Sequence, residues 1–162
     1  MDAIDCHLLE RLQQDGRATQ QELAREVGLS QPSVAERIRK LEDRGIIRGY
    51  AARVDSEALG KEITAFVGVQ IEHPRYFDEF AAAVQRIDDI LECHRVAGEY
   101  SYLLKVKSAT PAALDDLLVG TLRTLAGVTR THTTMVLRTV KEETLVRVAP
   151  ARAHYRGRTS AG

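Results

Sequence analysis

The sequence lacks the features of a secreted, disulfide-bonded or membrane-spanning protein. Its 162 residues contain no tryptophan and only 5% aromatic residues. The two cysteines are too few for a disulfide framework. No run of about 18 apolar residues occurs, so no membrane-spanning helix is expected. The first five residues are acidic rather than basic, and we therefore expect no secretory signal and a cytoplasmic location. With 44% apolar and 28% charged residues, the chain has the composition of one globular domain or two small ones.

The common signatures of catalysis and metal binding are also missing. The sequence contains no GxxxxGK, GxGxxG, GxSxG or HExxH motif, and Cys6, His73 and His132 lack the spacing of metal ligands. Cys93 and His94 are adjacent, but neighbouring residues of a strand point to opposite faces, which does not suit a nucleophile and its base. We therefore expect no enzyme, no metal site and no cofactor.

Basic residues are concentrated in one short segment although the formal net charge is zero. Residues 1–29 hold three basic and six acidic side chains, whereas residues 30–54 hold six basic and three acidic ones. Such a local excess is what the neutralisation of phosphates requires. It is equally compatible with a solvated helix face, so charge alone leaves both interpretations open.

Apolar periodicity and capping signals predict two short helices at the start of the chain. Apolar residues recur at helical spacing over residues 4–12, and we expect Gly16 to end this helix in the left-handed conformation. Thr19 and Glu22 have the spacing of a capping box at the start of the second helix. Gly28 is expected to end that helix.

A third helix is predicted from Ser30 to about Arg44, because a hydroxyl cap is followed by Pro32 in the first turn and Gly45 follows the end. Residues 28–30 form a turn of the length that a helix-turn-helix requires. A plain three-helix bundle is the alternative. Apolar spacing directs one side of the third helix inward, which leaves an outer side made of Gln31, Ser33, Arg37 and Lys40.

The rest of the chain alternates between β-branched runs and amphipathic stretches. The expected elements are a strand over 62–71, a helix from Pro74, strands over 90–97 and 100–107 joined by a tight turn at Gly98, a helix from Thr110 to Gly127 and a strand over 128–140. This order predicts an α+β, ferredoxin-like βαββαβ fold, with both helices on one face of a four-stranded antiparallel sheet. The other face needs a cover, and we expect it to dimerise.

These elements divide the chain into three parts. Residues 1–60 are expected to form the helix-turn-helix domain, with a linking strand near Gly49 to Val54. Residues 61–148 are expected to form the ferredoxin-like domain. Residues 149–162 are expected to be a mobile basic tail.

Several motifs occur in a fixed order from Ile4 to Val148. In the first part they are Val27-Gly28-Leu29-Ser30, Arg37-Ile38-Arg39-Lys40-Leu41-Glu42 and Gly45-Ile46-Ile47-Arg48-Gly49-Tyr50; in the second they are Glu92-Cys93-His94, Val96-Ala97-Gly98-Glu99-Tyr100-Ser101-Tyr102-Leu103-Leu104-Lys105 and Leu125-Ala126-Gly127-Val128. In this order and spacing they resemble the Lrp/AsnC, or feast/famine, family of bacterial and archaeal transcriptional regulators. The resemblance implies an N-terminal DNA-binding domain and a C-terminal domain that senses an amino acid and dimerises through its sheet. It also implies further assembly of the dimers, often as an octamer of four dimers in a ring.

The same resemblance implies an amino-acid effector site where dimers meet, near the turn between the two middle strands. Many relatives carry an aspartate where this chain has Ser101, and its absence removes one charge partner for the ammonium group of an amino acid. A ligand-independent architectural regulator is therefore an alternative. The two tyrosines equally suit packing, and threonine is common in strands. The candidate effector residues are Gly98, Glu99, Tyr100, Ser101, Tyr102, Thr131, Thr133 and Thr134.

The third helix is expected to enter the major groove of double-stranded DNA. Arginine bonds guanine edges, glutamine suits adenine, and amides at a helix N-terminus favour phosphate. The candidates for base or phosphate contact are Ser30, Gln31, Ser33 and Arg37, and those for phosphate contact are Arg39, Lys40, Arg44 and Arg48. An RNA-binding sheet is the remaining alternative, but Phe66 stands alone among aliphatic neighbours, which suit a protein partner better than bases.

Overall fold

The computed structural model describes residues 1–148, which fall into two units. Residues 1–53 and a segment that begins at Glu142 form the first unit, and residues 54–141 form the second. The tail expected at residues 149–162 lies outside the described residues.

Three helices build the first unit: α1 (Ala3–Gln14), α2 (Gln20–Val27) and α3 (Gln31–Asp43). The capping box predicted for α2 is confirmed, since the Thr19 hydroxyl accepts the Glu22 amide at 3.2 Å and the Glu22 carboxylate accepts the Thr19 amide at 2.7 Å. Gly28 ends α2 in the left-handed conformation, at φ 68°, as predicted. The hydroxyl of Ser30 caps α3.

The end of α1 differs from the prediction. Gly16 does not adopt a positive φ, so the prediction that it closes α1 is wrong. The helix ends instead at Asp15, which is extended, donates its amide to the Arg11 carbonyl at 2.9 Å and accepts the Arg17 amide on its carboxylate at 3.0 Å. The side-chain carboxylate thus turns the chain where a left-handed glycine was expected.

The inner side of the helix-turn-helix is apolar, as the spacing predicts. Val34, Ile38 and Leu41 of α3 are all buried. Five buried residues form the shared core of the three helices: Leu8, Leu23, Ala24, Val34 and Ile38. Because α3 is held by this side, its polar side is the one presented to solvent.

The linking strand expected near Gly49 to Val54 is not formed. Residues 48–55 have no regular secondary structure. A strand requires a hydrogen-bonded neighbour, and within residues 1–148 this segment has none. The sequence of this segment is therefore insufficient by itself to make a strand.

The second unit is the predicted ferredoxin-like fold. Its strands are β1 (Ile63–Ile71), β2 (Ile90–Arg95), β3 (Tyr102–Ser108) and β4 (Val128–Met135), which lie in the antiparallel order β2-β3-β1-β4. A 3-10 turn (Pro74–Tyr76) leads into α4 (Phe77–Val84), and α5 (Pro111–Asp115) continues as a π turn (Asp116–Thr121) and a 3-10 turn (Leu122–Thr124).

Alternation along β1 separates the two faces of the sheet. Ala65, Val67, Val69 and Ile71 are buried and pack with α4 and α5 in one core, whereas Phe66 on the opposite face is 39% exposed. We call the face without helices the open face. Its presence follows from having both helices on one side of the sheet.

Three features of the second unit differ from the prediction. The last strand ends at Met135 rather than residue 140, because β4 runs antiparallel to β1 and reaches the first residues of β1 there. The expected helix over 110–127 is interrupted by the π turn around Gly120, a residue that weakens helices. The hairpin after β2 is not a tight turn, since residues 96–101 connect the strands and Gly98 has φ 159°, close to an extended backbone.

Candidate nucleic-acid and effector sites

The polar side of α3 borders a cavity of about 360 Å³. The cavity is lined by Asp5, Ser33, Glu36, Arg37, Lys40, Leu41 and Arg44. Three of the cations predicted to contact DNA, Arg37, Lys40 and Arg44, therefore lie around this cavity. Two acidic side chains, Asp5 and Glu36, lie beside them, which the sequence pattern did not indicate.

Arg37 is held between two carboxylates from the start of α1. Its Nη1 lies 2.8 Å from Asp2 Oδ2 and 2.7 Å from Asp5 Oδ1. These hydrogen bonds raise the pKa of Arg37, and together with the Asp5 amide they hold the pKa of Asp2 below its usual value. Asp2 and Asp5 also cap each other's backbone amides at 2.9 and 3.1 Å. The same two carboxylates thus begin α1 and tie it to α3; we call this group the Arg37 clamp.

Arg39 and Lys40 are paired with acidic residues of α3 itself. Arg39 donates to Glu36 at 2.9 Å and to Asp43 at 3.0 Å, and Lys40 lies 3.4 Å from Glu36. The hydrogen bond from Arg39 lowers the pKa of Glu36. These pairs are more than 45% exposed on both partners, so water and salt weaken them and a phosphate can replace the carboxylate.

The remaining α3 candidates differ in how they are engaged. The hydroxyls of Ser30 and Ser33 lie 2.8 Å apart, and Ser30 accepts the Ser33 amide. Gln31, Arg44 and Arg48 are exposed, and none of them makes a side-chain hydrogen bond or ion pair to any residue between 1 and 148. These three side chains are therefore available without breaking an existing interaction.

The loop at residues 96–101 is anchored to β1 through Ser101. Its amide donates to the Val69 carbonyl at 2.9 Å, and its hydroxyl accepts the Ile71 amide at 3.1 Å. The Val96 amide donates to the Ser101 carbonyl at 3.2 Å, which closes the loop at its base. Gly98 and Glu99 are exposed at the far end of this loop, and a Cβ on Gly98 would meet nothing within 4 Å.

Tyr100 lies on the open face. Its ring covers Gly68, where an added Cβ would lie 2.6 Å from the ring, and it stacks on His132 with the ring centres 5.9 Å apart. Thr134 pairs with Phe66 and lies on the same face. Gly68 therefore makes room for an aromatic side chain that the sequence pattern had not connected with it.

Tyr102, Thr131 and Thr133 lie on the other side of the sheet. Tyr102 is 6% exposed, contacts the rings of Phe77 and Phe80 with centroids 5.6 and 4.8 Å away, and has its pKa raised by burial. Thr131 and Thr133 pair with Val69 and Val67, whose side chains are in the core. The predicted effector residues are thus divided between two faces and do not form one pocket within a single chain.

Sequence reasoning missed the acidic partners of α3 and the aromatic partner of Arg95. The Asp2-x-x-Asp5 spacing at the start of an apolar stripe was a detectable capping signal, but nothing local indicates that these carboxylates reach Arg37. The guanidinium of Arg95 lies 4.4 Å from the centre of the Phe77 ring, a contact between residues on different elements.

The described part of the chain offers neither a metal cluster nor a membrane-crossing helix. Within residues 1–148 no group of three or more His, Cys, Asp or Glu side chains is placed to hold a metal ion. No helix there is both long and apolar enough to cross a membrane.

Comparisons with known proteins give the class of the chain. The model of the AsnC-type helix-turn-helix domain matches residues 1–42, and that of the Lrp/AsnC ligand binding domain matches residues 64–146. The chain is 44% identical over 139 residues to the HTH-type transcriptional regulator LrpA of Mycobacterium tuberculosis, covering 86% of this chain and 91% of the relative. It is 40% identical over 144 residues to the leucine-responsive regulatory protein of Escherichia coli K12, covering 88% of each.

The solved structures that resemble this chain are also those of regulatory proteins. A transcriptional regulator of Neisseria meningitidis in complex with L-Met has a TM-score of 0.84 and 33% identity, and the match covers 89% of this chain and 94% of that one. A feast or famine regulatory protein of M. tuberculosis complexed with L-methionine has a TM-score of 0.84 and 41% identity, with 91% and 99% covered.

The chain therefore belongs to the Lrp/AsnC family. It is a DNA-binding transcriptional regulator with an N-terminal helix-turn-helix and a C-terminal ligand-binding domain. The family resemblance and the fold class inferred from the sequence are confirmed, and the relatives named above are regulators rather than enzymes.

Proposed function

We propose that this regulator reads double-stranded DNA with the polar side of α3 in the major groove. The observation that carries the proposal is the exposure of polar side chains at both ends of α3. Gln31 in its first turn, Arg44 at its C-terminal cap and Arg48 beyond it are exposed and make no side-chain hydrogen bond or ion pair with residues 1–148. A glutamine at the start of the helix suits base contact, and arginines at and beyond its end suit phosphates. Ser30 and Ser33 complete the proposed contact set at the helix N-terminus.

The paired cations take part in a different way. Arg39 and Lys40 exchange exposed carboxylate partners for phosphates on binding, which is favourable because DNA presents a denser array of negative charge. Arg37 has two carboxylate partners and 31% exposure, so we place it as a positioning residue that holds α3 against α1. Its contribution to DNA affinity then passes through the orientation of α3.

We further infer that an amino acid modulates this DNA binding. L-methionine is present in the structures of two relatives of the same fold. In this chain the exposed loop residues Gly98 and Glu99, with Ser101, are the proposed contacts. Tyr100 and Thr134 lie on the open face, and we propose that they support the loop from that side. Tyr102, Thr131 and Thr133 shape the base of the loop from the helix side.

The proposed active form is a homodimer joined through the open face, with further assembly to an octamer. The partly exposed Phe66 and the absence of a helix layer on that face support it. A dimer presents two α3 helices, so operators should be roughly palindromic, with half-sites about 10 base pairs apart or a multiple of that distance. A protein that binds the DNA of a bacterial or archaeal cell acts in the cytoplasm.

The DNA proposal is tested with duplexes selected by the full-length chain from a random pool. Replacing Arg44 and Arg48 together by alanine should weaken binding to all duplexes and lower the slope of log K against log salt by about 1 for each phosphate that is no longer neutralised. The matched control replaces Arg86 and Arg123, two exposed arginines of the second unit, and should leave both quantities unchanged. Unchanged affinity and slope in the Arg44, Arg48 variant would refute the placement. Equal affinity for single-stranded RNA would favour the RNA-binding alternative.

The effector proposal is tested by heating the full-length chain with each of the twenty amino acids. A ligand at 100 times its Kd adds about 2.7 kcal/mol to the stability of the native state, so a binder raises the melting temperature measurably. The ligand must also bind the DNA-competent and DNA-incompetent assemblies with different affinities, because a ligand with equal affinity for both does not shift the equilibrium between them. If no amino acid raises the melting temperature, the ligand-independent architectural regulator is the better description.

A further inference from the structure

We propose that Arg95 binds the carboxylate group of the effector, on the helix side of the 96–101 loop. This inference rests on the proposed effector function and adds the residue and the chemical group by which the ligand is recognised. The effector candidates predicted from the sequence contain no cationic side chain, whereas a carboxylate ligand always presents a negative charge.

Arg95 is placed at the base of the proposed effector loop. It is the last residue of β2, its register partner on β3 is Tyr102, and Val96 begins the loop. Its guanidinium carbon lies 4.4 Å from the centre of the ring of Phe77, the first residue of α4. The cation therefore lies where the loop, β3 and the start of α4 come together.

The cation–π contact fixes the guanidinium without using its hydrogen-bond donors. The guanidinium carbon lies over the face of the Phe77 ring, a contact that does not itself consume the N–H donors of the guanidinium. The planar fork of those donors matches the two oxygens of a carboxylate. Because Phe77 already restricts the side chain, the entropic cost of ordering it around a ligand is smaller.

Arg95 also differs from the other stacked arginine of the unit. Arg75 lies over the Tyr76 ring at 4.6 Å but donates to the Tyr76 hydroxyl at 2.6 Å. Arg95 makes no side-chain hydrogen bond or ion pair with any residue in the described chain. Asp78 on α4 raises the pKa of Tyr102 and Arg95 lowers it, so both charges lie near that hydroxyl. Asp78 nevertheless forms no ion pair with the guanidinium. The donors of Arg95 thus remain available for an anion.

The surrounding polar groups do not replace this role. Ser101 already accepts the Ile71 amide, and a hydroxyl carries no charge. The exposed acid Glu99 suits an ammonium group rather than a carboxylate. The arrangement assigns Arg95 to the carboxylate, a group shared by all amino acids, and leaves selectivity among side chains to other contacts.

The test compares an amino acid with its carboxamide on the full-length chain. The probes are the strongest binder of the twenty amino acids, beginning with L-methionine, and the same compound with its carboxylate converted to an amide. Calorimetry should show that the wild type prefers the acid. Arg95→Gln keeps a polar side chain but removes the charge and the fork, so it should bind the acid about tenfold to 100-fold more weakly and show no preference for acid over amide.

The matched control is Arg75→Gln, which removes the neighbouring stacked arginine and should retain the preference. If Arg95→Gln does not fold, Arg95→Lys keeps the charge but not the fork and should reduce the preference. A variant that weakens acid and amide equally, or keeps the wild-type preference, overturns the role of Arg95 while the effector function stands. A wild type that binds no amino acid overturns both.

Discussion

Arg37 is compatible with two roles, contact with DNA and attachment of α3 to α1. An arginine on the polar side of a recognition helix suggests base contact, but the two carboxylates of the Arg37 clamp occupy its Nη1 at 2.7 and 2.8 Å. Removing the arginine would leave both carboxylates without their cation. The clamp is therefore a connection between α1 and α3, and its effect on DNA binding can be separated from direct contact by exchanging the charges.

We expect Arg37→Glu alone to lower both the melting temperature and the DNA affinity, since it brings three carboxylates together. Adding Asp5→Lys restores an opposite-charge pair across the same two helices. The double variant should regain part of both properties, measured by thermal unfolding and fluorescence anisotropy, because Asp5→Lys restores an ion pair but removes the carboxylate that caps the Asp2 amide. Recovered stability with no recovered affinity would show that Arg37 contacts DNA itself.

Tyr50 makes the first unit sensitive to high pH. Its hydroxyl donates to Glu42 at 3.0 Å, and partial burial of this half-exposed side chain, the hydrogen bond and the negative charge of Glu42 raise its pKa from 10.0 to about 12. The folded state thus favours the neutral phenol, so this stabilisation is complete below pH 10 and is lost as the pH rises towards 12. Urea unfolding followed by helical circular dichroism should show a steeper decline across this window in the wild type than in Tyr50→Phe. Parallel declines would contradict the assignment.

At the scale of elements, the two glycines beside the turns of the first unit make a matched pair. Gly28 has φ 68° with open space around an added Cβ, whereas Gly16 lacks a positive φ and a Cβ there meets Tyr50 at an ordinary 3.8 Å. Gly28→Ala should therefore destabilise the protein by about 1 kcal/mol or more through backbone strain alone. Gly16→Ala should be neutral or slightly stabilising. Equal losses of stability in chemical denaturation would contradict this distinction.

The elements that were predictable from the sequence are those whose signals are local. Thr19 and Ser30 cap helices with atoms three residues away, and the alternation around Val67 selects one face of β1 without knowledge of its neighbours. Two of the errors arose where an outcome depends on a distant partner. The segment near Gly49 lacks a neighbouring strand within residues 1–148, and β4 stops where β1 begins.

The same distinction applies to the candidate sites. The polar side of α3 followed from periodicity, but the partners of Arg37 lie more than thirty positions earlier in the sequence. The effector candidates were adjacent in sequence around Tyr100, and pleating sent them to opposite faces of the sheet. Arg95 was not predictable because Phe77, which fixes it, belongs to another element.

At the scale of the whole molecule, the open face predicts the assembly. Phe66→Asp introduces a charge at a side chain that is 39% exposed and that the proposed dimer would bury. Sedimentation at micromolar concentration should show a dimer or larger species for the wild type and a monomer for Phe66→Asp. Val119→Asp, at a 50% exposed position of the helix layer, should not produce monomers. A monomeric wild type would refute the packing argument.

The Tyr100 ring above Gly68 also has a consequence for how this sequence can change over generations. A Cβ at position 68 would lie 2.6 Å from that ring, so any larger residue there requires a smaller or displaced residue at position 100. Gly127 and Tyr76 are related in the same way, because a Cβ on Gly127 would overlap the Tyr76 ring. In each pair the available volume is shared between two positions that are far apart in the chain. The two positions of a pair should therefore covary among relatives, with the aromatic ring retained only in lineages that retain the glycine.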